Sequence, residues 1–335
     1  MSLQESQGND RFELPVPATY IIRPDGVIAS AFVDVDYTQR MEPASIVEVL
    51  KTKQIMENKM SVKADHVRQH VRKSYTEVAE ASNSGGCCGE ASSCCGVSDD
   101  AAINTLISTR LGYSEDDLAN VPDGADMGLG CGNPRAIASL KPGETVIDLG
   151  SGGGFDAFLA ASEVGESGHV IGIDMTPSML SKARANAEKG KFSQVEFRLG
   201  EIEYLPVADN TADIIISNCV INLSPHKGLV FADAFRVLKP GGRLAISDVV
   251  ATAEMPEEMK NDPMLHAGCM AGASLIDDLA QMMVEAGFEH IHIAPKDESR
   301  EFIRDWAPGR GVEDYVVSAY INAVKPSACC SGSSC

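Results

Sequence analysis

Residues 144–174, ETVIDLGSGGGFDAFLAASEVGESGHVIGID, contain the pattern that decides the fold. A strand candidate rich in β-branched residues is followed by the glycine-rich loop Gly150 to Gly154, then by a helical segment and a second strand candidate that ends at Asp174. Glycines let a backbone turn tightly and approach a ligand closely, and a carboxylate at the end of the second strand can accept hydrogen bonds from both ribose hydroxyls. The order strand, loop, helix, strand and acid therefore predicts a nucleotide-binding unit, against the alternative of a tight structural turn.

Strand and helix candidates alternate on both sides of this unit. We expect the helix KGLVFADAFRVLKPGG to close on Pro240-Gly241-Gly242, and residues 275–294 to add a helix and a strand. The strand candidates are, in order, ETVIDLG, HVIGID, VEFRLG, DIIISN, RLAISDVV, FEHIHIA and YVVSAYINAVK. Such alternation predicts a doubly wound, mostly parallel α/β sheet of seven strands with helices on both faces.

Composition excludes several classes of function. The chain has 28 Lys and Arg against 48 Asp and Glu, a formal charge of −20, which repels the phosphate backbone of nucleic acids. We found no apolar run long enough to span a bilayer and no basic and apolar leader at residues 1–15, so we expect a cytoplasmic protein without a membrane partner. The ten cysteines include three adjacent pairs, which bridge each other only with strain and suit a reducing compartment.

The N-terminal region carries two smaller patterns. Residues 12–50 hold two strand-like runs around Pro24-Asp25-Gly26 and resemble the C-terminal part of peroxiredoxin-type redoxin domains over about forty residues. No cysteine precedes Cys87, so we interpret the segment as a truncated fusion remnant, with an accessory docking strand as the alternative. Residues 65–80 predict an amphipathic helix, a candidate lid, and residues 82–100 predict a flexible thiol-bearing segment. The helix would present one apolar face made of Val67, Val71, Tyr75 and Val78.

The glycine motif has the form D-x-G-x-G-x-G, and the acidic segment Gly200-Glu201-Ile202-Glu203 follows the third strand candidate. These features resemble class I methyltransferases, which implies S-adenosylmethionine as the cofactor. The resemblance implies that the glycine loop surrounds the methionine moiety, that Asp174 holds the ribose and that Ile202 flanks the adenine. The implied cofactor-binding residues are Asp148, Gly150, Gly152, Gly154, Asp174, Met175, Glu201, Ile202 and Asn218.

Longer motifs between residues 121 and 295, among them VPDGADMGLGCGNP, GEIEYLP and DIIISNCVINLSP, resemble the arsenite methyltransferases. The resemblance implies that thiolate-bound trivalent arsenic is methylated to mono- and dimethylated products, with a third methylation left open. It carries over Cys131, Cys219 and Cys269 as arsenic ligands and adds one cysteine from the segment that holds Cys87, Cys88, Cys94 and Cys95, of which we favour Cys94 or Cys95. The implied partners are arsenite and methylarsenite as thiol adducts, and thioredoxin or another dithiol reductant.

The residues alone point to the same place. Cys219 directly follows the fourth strand candidate, where doubly wound sheets hold their ligands, although a single cysteine there is usually a small buried apolar residue. Cys131 lies in a glycine-rich loop before the first strand and Cys269 in the insertion after the fifth, and loops at these places can converge on one crevice. Three soft sulfur ligands would suit the pyramidal geometry of trivalent arsenic.

Alternatives remain open at this point. A structural zinc site needs four ligands, but no C-x-x-C pair supplies the usual spacing. His226 could be a base for an organic acceptor or an exposed residue where a helix begins. The chain could thus methylate a small organic acceptor, or bind metalloids without turnover. We divide it into a redoxin-like fragment at 1–54, a helix and Cys-rich loop at 55–112, a methyltransferase domain at 113–295, and a strand with a Cys-rich tail at 296–335.

Overall fold

The structure is a computed structural model that describes residues 18–22, 28–33, 63–80 and 101–327. The chain divides into two compact units, Met1–Lys63 and Ala64–Cys335. In the first unit, strands β1 (Ala18–Ile22) and β2 (Ile28–Val33) pair antiparallel, as the two strand-like runs predicted. The predicted turn at residues 24–26, the Cys-rich segment and the Cys-rich tail from residue 328 lie outside the described residues. The likeness to redoxin domains and the four domain bounds stay predictions.

The second unit contains a seven-stranded sheet with the strand order β5-β4-β3-β6-β7-β9-β8. The five strands from β5 to β7 run parallel, and β9 runs antiparallel to both of its neighbours. The predicted α/β class and the mostly parallel seven-stranded sheet are therefore confirmed. The strands are β3 (Thr145–Leu149), β4 (His169–Asp174), β5 (Val195–Leu199), β6 (Ala212–Asn218), β7 (Leu238–Ala251), β8 (Glu289–Lys296) and β9 (Val316–Val324).

Helices connect the strands and cover both faces of the sheet. Residues 63–80, here α1, form the predicted amphipathic helix, with Val71 fully buried on its apolar face. The later helices are α2 (Ala101–Arg110), α3 (Glu115–Ala119), α4 (Arg135–Ala138), α5 (Phe155–Val164), α6 (Pro177–Gly190), α7 (Lys227–Val237), α8 (Glu257–Lys260), α9 (Pro263–Ala267), α10 (Ile276–Ala286) and α11 (Arg300–Trp306). Among the described helices none is long and apolar enough to cross a membrane.

The end of α7 corrects one expectation. The helix stops at Val237 rather than at Pro240-Gly241-Gly242, because Leu238 is already extended, with φ −70° and ψ 140°. Leu238 is buried and begins β7, where it pairs with Ala212 of β6. Lys239 precedes a proline, and this position favours extended backbone, so the chain enters the sheet before it reaches the glycines.

The order of the strands reverses between β3 and β6. Connections from β3 run to one side of the sheet and those from β6 run to the other, so a crevice opens at the carboxyl ends of these two strands. Two loops meet there: the glycine loop between β3 and α5, and the turn after Asn218, which passes through Cys219 into a short 3₁₀ helix at Ile221–Leu223. The topology therefore brings the predicted nucleotide loop next to one of the predicted thiols.

Gly154 caps the start of α5 and makes the close approach between the glycine loop and the core possible. Its φ is +95°, in the region that favours glycine, and a Cβ there would lie 2.6 Å from Cε2 of Phe158 and 2.9 Å from Cζ of Phe197. Both rings are buried. A side chain at this position would therefore strain the backbone and collide with the core.

We expect Gly154→Ala to lower the free energy of unfolding by about 2–4 kcal/mol, from the left-handed backbone and the crowded rings together. Gly228→Ala is the matched control, because Gly228 lies in α7 and a Cβ there would meet no atom within 4 Å. It should leave stability unchanged or raise it by up to about 1 kcal/mol. Urea denaturation without ligands measures both variants, and equal stability would contradict the packing of Gly154.

Candidate active site

A cavity of about 1110 Å³, including its open mouth, lies at the carboxyl ends of β3, β4 and β6. The glycine loop forms its floor, and Arg68, Val71 and Tyr75 of α1 contribute one wall. We call it the cofactor cavity. Ion pairs hold helix α1 against the cavity wall. Nη2 of Arg68 lies 3.0 Å from Oε1 of Glu203, and Nη2 of Arg72 lies 3.3 Å from Oε1 of Glu201. The predicted helix thus borders the cavity, while its action as a lid stays a prediction.

Asp174 ends β4 at the rim of the glycine loop, as its position in the sequence predicted. Its Oδ2 accepts a hydrogen bond from the amide of Gly152 at 3.0 Å, and its Oδ1 accepts one from the amide of Thr176 at 2.8 Å. Burial raises the pKa of this carboxyl, although the two amide donors oppose the shift. A carboxylate has about four acceptor sites, so Asp174 is fixed in place by these donors and can still accept a hydrogen bond from a ligand.

Asp148 is the buried polar group that most needs a ligand. It lines the cofactor cavity, and its Oδ2 has no hydrogen-bond partner among the described residues. Burial, followed by the charges of Asp156 and Asp174, raises the pKa of Asp148 well above its usual range. An unpaired buried acceptor is costly, and a cationic donor in the cavity would relieve that cost.

The charge of the cavity wall fits S-adenosylmethionine, which carries an ammonium, a sulfonium and one carboxylate. Among the wall residues that the structure describes, Arg68 is the only cation. The acidic wall residues are Asp126, Asp148, Asp156, Asp174 and Glu203. The residues present therefore suit a ligand with a net positive charge, and the unpaired oxygen of Asp148 is suited to an ammonium.

Most of the predicted cofactor-binding residues line this cavity, but two do not. Gly154 packs behind the loop against Phe158, and Glu201 turns outward to Arg68 and Arg72. Glu203, which the sequence analysis did not select, lies in the wall, where it accepts a hydrogen bond from Ser224 at 2.8 Å. Predicted residues in the wall are Asp148, Gly150, Gly152, Asp174, Met175, Ile202 and Asn218.

The sequence contained a signal for Glu203 that could not be resolved. Glu201 and Glu203 are two acids on either side of Ile202, and alternation alone does not say which of them faces a ligand. Arg68 of α1, more than 130 residues away in the chain, pairs with both acids. The choice follows from Ser224, which donates a hydrogen bond to Glu203. Arg68 and Ser224 offered no local pattern by which they could have been selected.

The three thiols that the sequence analysis selected converge at the end of β6. Cys131, Cys219 and Cys269 are 1%, 7% and 2% exposed. The sulfur atoms of Cys131 and Cys219 and one oxygen of Asp248 all lie within 4.8 Å of one another. The thiol of Cys269 donates a hydrogen bond to the carbonyl oxygen of Cys219 at 2.6 Å. We call these three residues the thiol cluster. Cys94 and Cys95 lie outside the described residues.

Two of the three cysteines have a left-handed backbone conformation. The φ angles of Cys219 and Cys269 are +60° and +62°, a region that residues other than glycine seldom adopt and that costs about 1–3 kcal/mol. Asp248 fixes the turn that follows Cys219, since it accepts hydrogen bonds from the amide of Ile221 at 2.8 Å and from the side chain of Asn222 at 2.9 Å. Strain held in this way is typical of functional sites.

Two members of the cluster, Cys131 and Cys219, favour the neutral thiol form. The thiols of Cys131 and Cys269, together with burial, raise the pKa of Cys219 well above its usual range, and burial raises the pKa of Cys131. Burial also raises the pKa of Asp248 to about 6, a shift that its amide donors and the nearby Lys227 oppose. At neutral pH the sulfurs of Cys131 and Cys219 are thus protonated and do not repel each other.

A second cavity also borders the thiol cluster. Cys219 and Cys269 both line it, together with the aromatic side chains of Tyr75, Phe302 and Trp306. Cys219 also lines the cofactor cavity, so one thiol borders both spaces. His226 is half-buried where α7 begins, and it is absent from the described walls of both cavities. The structure does not place it as a base at this site.

Comparisons with known proteins identify a family by sequence. A family model described as a methyltransferase domain matches residues 140–287. The chain is 55% identical to an arsenite methyltransferase of Halobacterium salinarum over 270 residues, which are 78% of this chain and 68% of that protein. It is 43% identical to the human arsenite methyltransferase over 152 residues, 43% of this chain and 40% of that one.

Among solved structures, the chain is similar to an arsenic(III) S-adenosylmethionine methyltransferase from Chlamydomonas reinhardtii. The identity is 31%, the match covers 66% of this chain and 73% of that chain, and the TM-score is 0.49. The assignment rests on the sequence, because the Halobacterium protein matches over more than two thirds of its length. The chain therefore belongs to the arsenite methyltransferase family of S-adenosylmethionine-dependent methyltransferases.

Proposed function

We propose that this protein transfers methyl groups from S-adenosylmethionine to trivalent arsenic held by Cys131, Cys219 and Cys269. One observation carries the proposal: Cys219 belongs to the thiol cluster and also lines the cofactor cavity. An arsenic atom bound to that sulfur would border the space that fits the cofactor. A protein that only stores metalloids needs no such cavity, and an organic acceptor gives no reason for three converging thiols.

The thiols load the substrate by exchange. Each step breaks an S–H and an As–OH bond and forms an S–As bond and water, so arsenous acid with three thiols releases three waters and no net proton. Arsenic then carries three sulfurs and one lone pair, in the pyramidal geometry that the soft ligands favour. The same exchange can start from an arsenic adduct of a small thiol, which leaves as free thiol.

S-adenosylmethionine supplies an electrophilic methyl group. The arsenic lone pair needs no deprotonation, so the contribution of the protein is to hold the two reactants together, which is worth about 7–11 kcal/mol when alignment is good. Asp174 and the glycine loop fix one reactant and the thiol cluster fixes the other. Asp248 holds the turn after Cys219 in place, and the hydrogen bond from the Cys269 thiol to the Cys219 carbonyl connects the two ligands.

Further turnovers need electrons. When the arsenic lone pair forms the new bond to carbon, arsenic becomes formally pentavalent. A free thiol then attacks a sulfur that is bound to arsenic: the S–As bond breaks as the disulfide forms, its two electrons return to arsenic, and one proton is released. We assign this role to Cys131 with Cys94 or Cys95, and the regeneration of the thiols to thioredoxin or another dithiol. Such chemistry requires a reducing compartment such as the cytoplasm.

The direct test is the consumption of S-adenosylmethionine that depends on arsenite, with methylarsenic products identified by mass spectrometry. We expect Cys219→Ser to abolish turnover with both arsenite and methylarsenite, because it removes the thiol that borders both cavities. The affinity of the variant for the cofactor should stay within about twofold of wild type, because serine differs from cysteine only in having an oxygen atom in place of the sulfur. Near-normal turnover by the folded variant would remove Cys219 from the site.

Asp174→Ala is the reciprocal variant. Loss of a charged acceptor from hydroxyl donors removes on the order of 1.5–3 kcal/mol, so the affinity for S-adenosylmethionine should fall roughly ten- to 150-fold. Arsenite binding, followed by thiolate–arsenic absorbance, should stay close to wild type. Calorimetry measures the cofactor arm independently of turnover, and unchanged cofactor affinity would mean that Asp174 does not hold the ribose.

The raised pKa values of Cys131 and Cys219 predict how arsenite binding depends on pH. A raised thiol pKa keeps the S–H form at neutral pH, so exchange with neutral arsenous acid consumes no proton through these two residues. The apparent affinity should therefore be nearly flat from pH 6 to pH 8 at fixed ionic strength. A thiolate would instead consume one proton on binding. For each ionised thiol, the apparent affinity for arsenite would then fall about tenfold for every unit by which the pH rises. Such a steep fall would show that the two residues are ionised.

A further inference from the structure

The amide of Asn218 connects the cofactor cavity with the thiol cluster. Its Nδ2 donates to the carbonyl oxygen of Gly132 at 2.8 Å, to the hydroxyl of Tyr113 at 3.0 Å and to Oδ2 of Asp156 at 3.1 Å. Its Oδ1 accepts a hydrogen bond from the amide of Cys131 at 3.0 Å. The NH₂ group has two hydrogens for three acceptors, so the three bonds share donors, and a change at one acceptor is felt at the others.

The cofactor side of this network is buried and carries carboxyl groups. Tyr113, Asp156 and Asn218 all line the cofactor cavity, and the Tyr113 hydroxyl donates to Oδ1 of Asp156 at 2.6 Å. Asp156 is the second residue of α5, directly after the glycine loop. Asp148, with its unpaired oxygen, lines the same cavity. A cation bound there would stabilise Asp156 as a carboxylate, the form that accepts hydrogen bonds from both Tyr113 and Asn218.

The thiol side has little room to move. A Cβ on Gly130 would lie 2.7 Å from Nδ2 of Asn218, and a Cβ on Gly132 would lie 2.1 Å from Oγ of Ser247. The loop is therefore clamped on both sides of Cys131. In addition, Ser318 donates a hydrogen bond to the carbonyl oxygen of Cys131 at 2.7 Å. Asn218 Oδ1 takes part in holding this loop, because both the amide and the thiol of Cys131 donate to it, at 3.0 Å and 3.9 Å.

We propose that Asn218 is a positioning residue that couples occupancy of the cofactor cavity to the placement of Cys131, so that cofactor and arsenic strengthen each other's binding. The inference rests on the proposed function. A bound cofactor orders Asp156, Asp156 orders the Asn218 amide, and the amide holds the loop of Cys131 in the geometry that accepts arsenic. Because coupling between two binding sites is reciprocal, arsenic must strengthen cofactor binding by the same factor.

The test measures arsenite affinity by thiolate–arsenic absorbance on the full chain, with and without saturating S-adenosylhomocysteine. This demethylated product keeps the ammonium and cannot react. In the wild type we expect arsenite to bind about tenfold more tightly when it is present, within the usual range of such couplings. Asn218→Ala should reduce that ratio to less than about twofold. Cofactor affinity measured with and without arsenite must give the same ratio and therefore checks the measurement. A purely structural role of Asn218 would weaken arsenite binding in the variant but leave the ratio at the wild-type value.

Asn186→Ala is the matched control. Asn186 is also a buried asparagine, and its Nδ2 donates to the carbonyl oxygen of Gly153 in the glycine loop at 2.9 Å, but the described contacts give it no bond to Cys131 or its neighbours. The variant should weaken S-adenosylhomocysteine binding and keep the wild-type ratio once that ligand is saturating. A ratio lost in both variants would attribute the coupling to the whole loop and overturn the role of Asn218.

The remaining outcomes are equally decisive. A wild-type ratio of one, or a normal ratio in Asn218→Ala, overturns the coupling and leaves the proposed function standing. Failure of the wild type to bind arsenite at all overturns the proposed function instead. If Asn218→Ala does not fold, Tyr113→Phe replaces it, because it removes one hydroxyl of the network and keeps the ring. A ratio that stays at the wild-type value in Tyr113→Phe then overturns the proposal.

Discussion

The carboxyl end of β6 is the point on which the rest of the site depends. Asn218 and Cys219 leave the strand next to each other, where the sheet changes direction between β3 and β6. Asn218 reaches into the cofactor cavity and Cys219 borders both cavities. Because the backbone amide of Cys219 still donates to the carbonyl of Ser247 at 2.8 Å, the turn stays tied to β7 while φ at Cys219 becomes positive. A shift of the strand by one residue here would exchange the places of the Asn218 side-chain amide and the Cys219 thiol.

Burial makes this arrangement of polar groups costly in free energy and selective for the ligand that it accepts. Several buried carboxylates lie in a space where unpaired polar atoms cost free energy, together with two thiols, Cys131 and Cys219, whose pKa values are raised. Most of these groups are compensated from within: Asp248 by backbone amides and Asn222, Glu203 by Arg68 and Ser224, and Asp156 by Tyr113 and Asn218. Asp148 retains an oxygen without a partner in the described part of the chain. The hydroxyl of Ser151, in the wall of the same cavity, also lacks a partner there, so both groups remain available to a ligand.

The thiol cluster differs from the cofactor cavity in the polarity of its surroundings. Its sulfurs lie in an apolar cluster with Val71, Leu265 and Met270, where charge would be disfavoured. Neutral thiols that exchange with a neutral hydroxide of arsenic satisfy this environment before and after binding, because no net charge is buried. Metal ions that carry charge into the same place would need compensation from Asp248 or another group. The environment thus favours a neutral, soft, three-coordinate ligand.

The sequence by itself determined the class of fold, the seven strands, the nucleotide loop with Asp174, and the three cysteines that meet. Each of these follows from local periodicity, from a motif with fixed spacing, or from the resemblance to one family. Tertiary structure alone decided that Glu203 rather than Glu201 faces the cavity, that Gly154 packs behind the loop, and that α7 ends at Val237. It also decided that Tyr113, Asp156 and Asn218 form one network with Cys131. Local patterns fix which face of an element is apolar, but the partner of a polar side chain comes from distant parts of the chain, and only the packed fold brings those parts together.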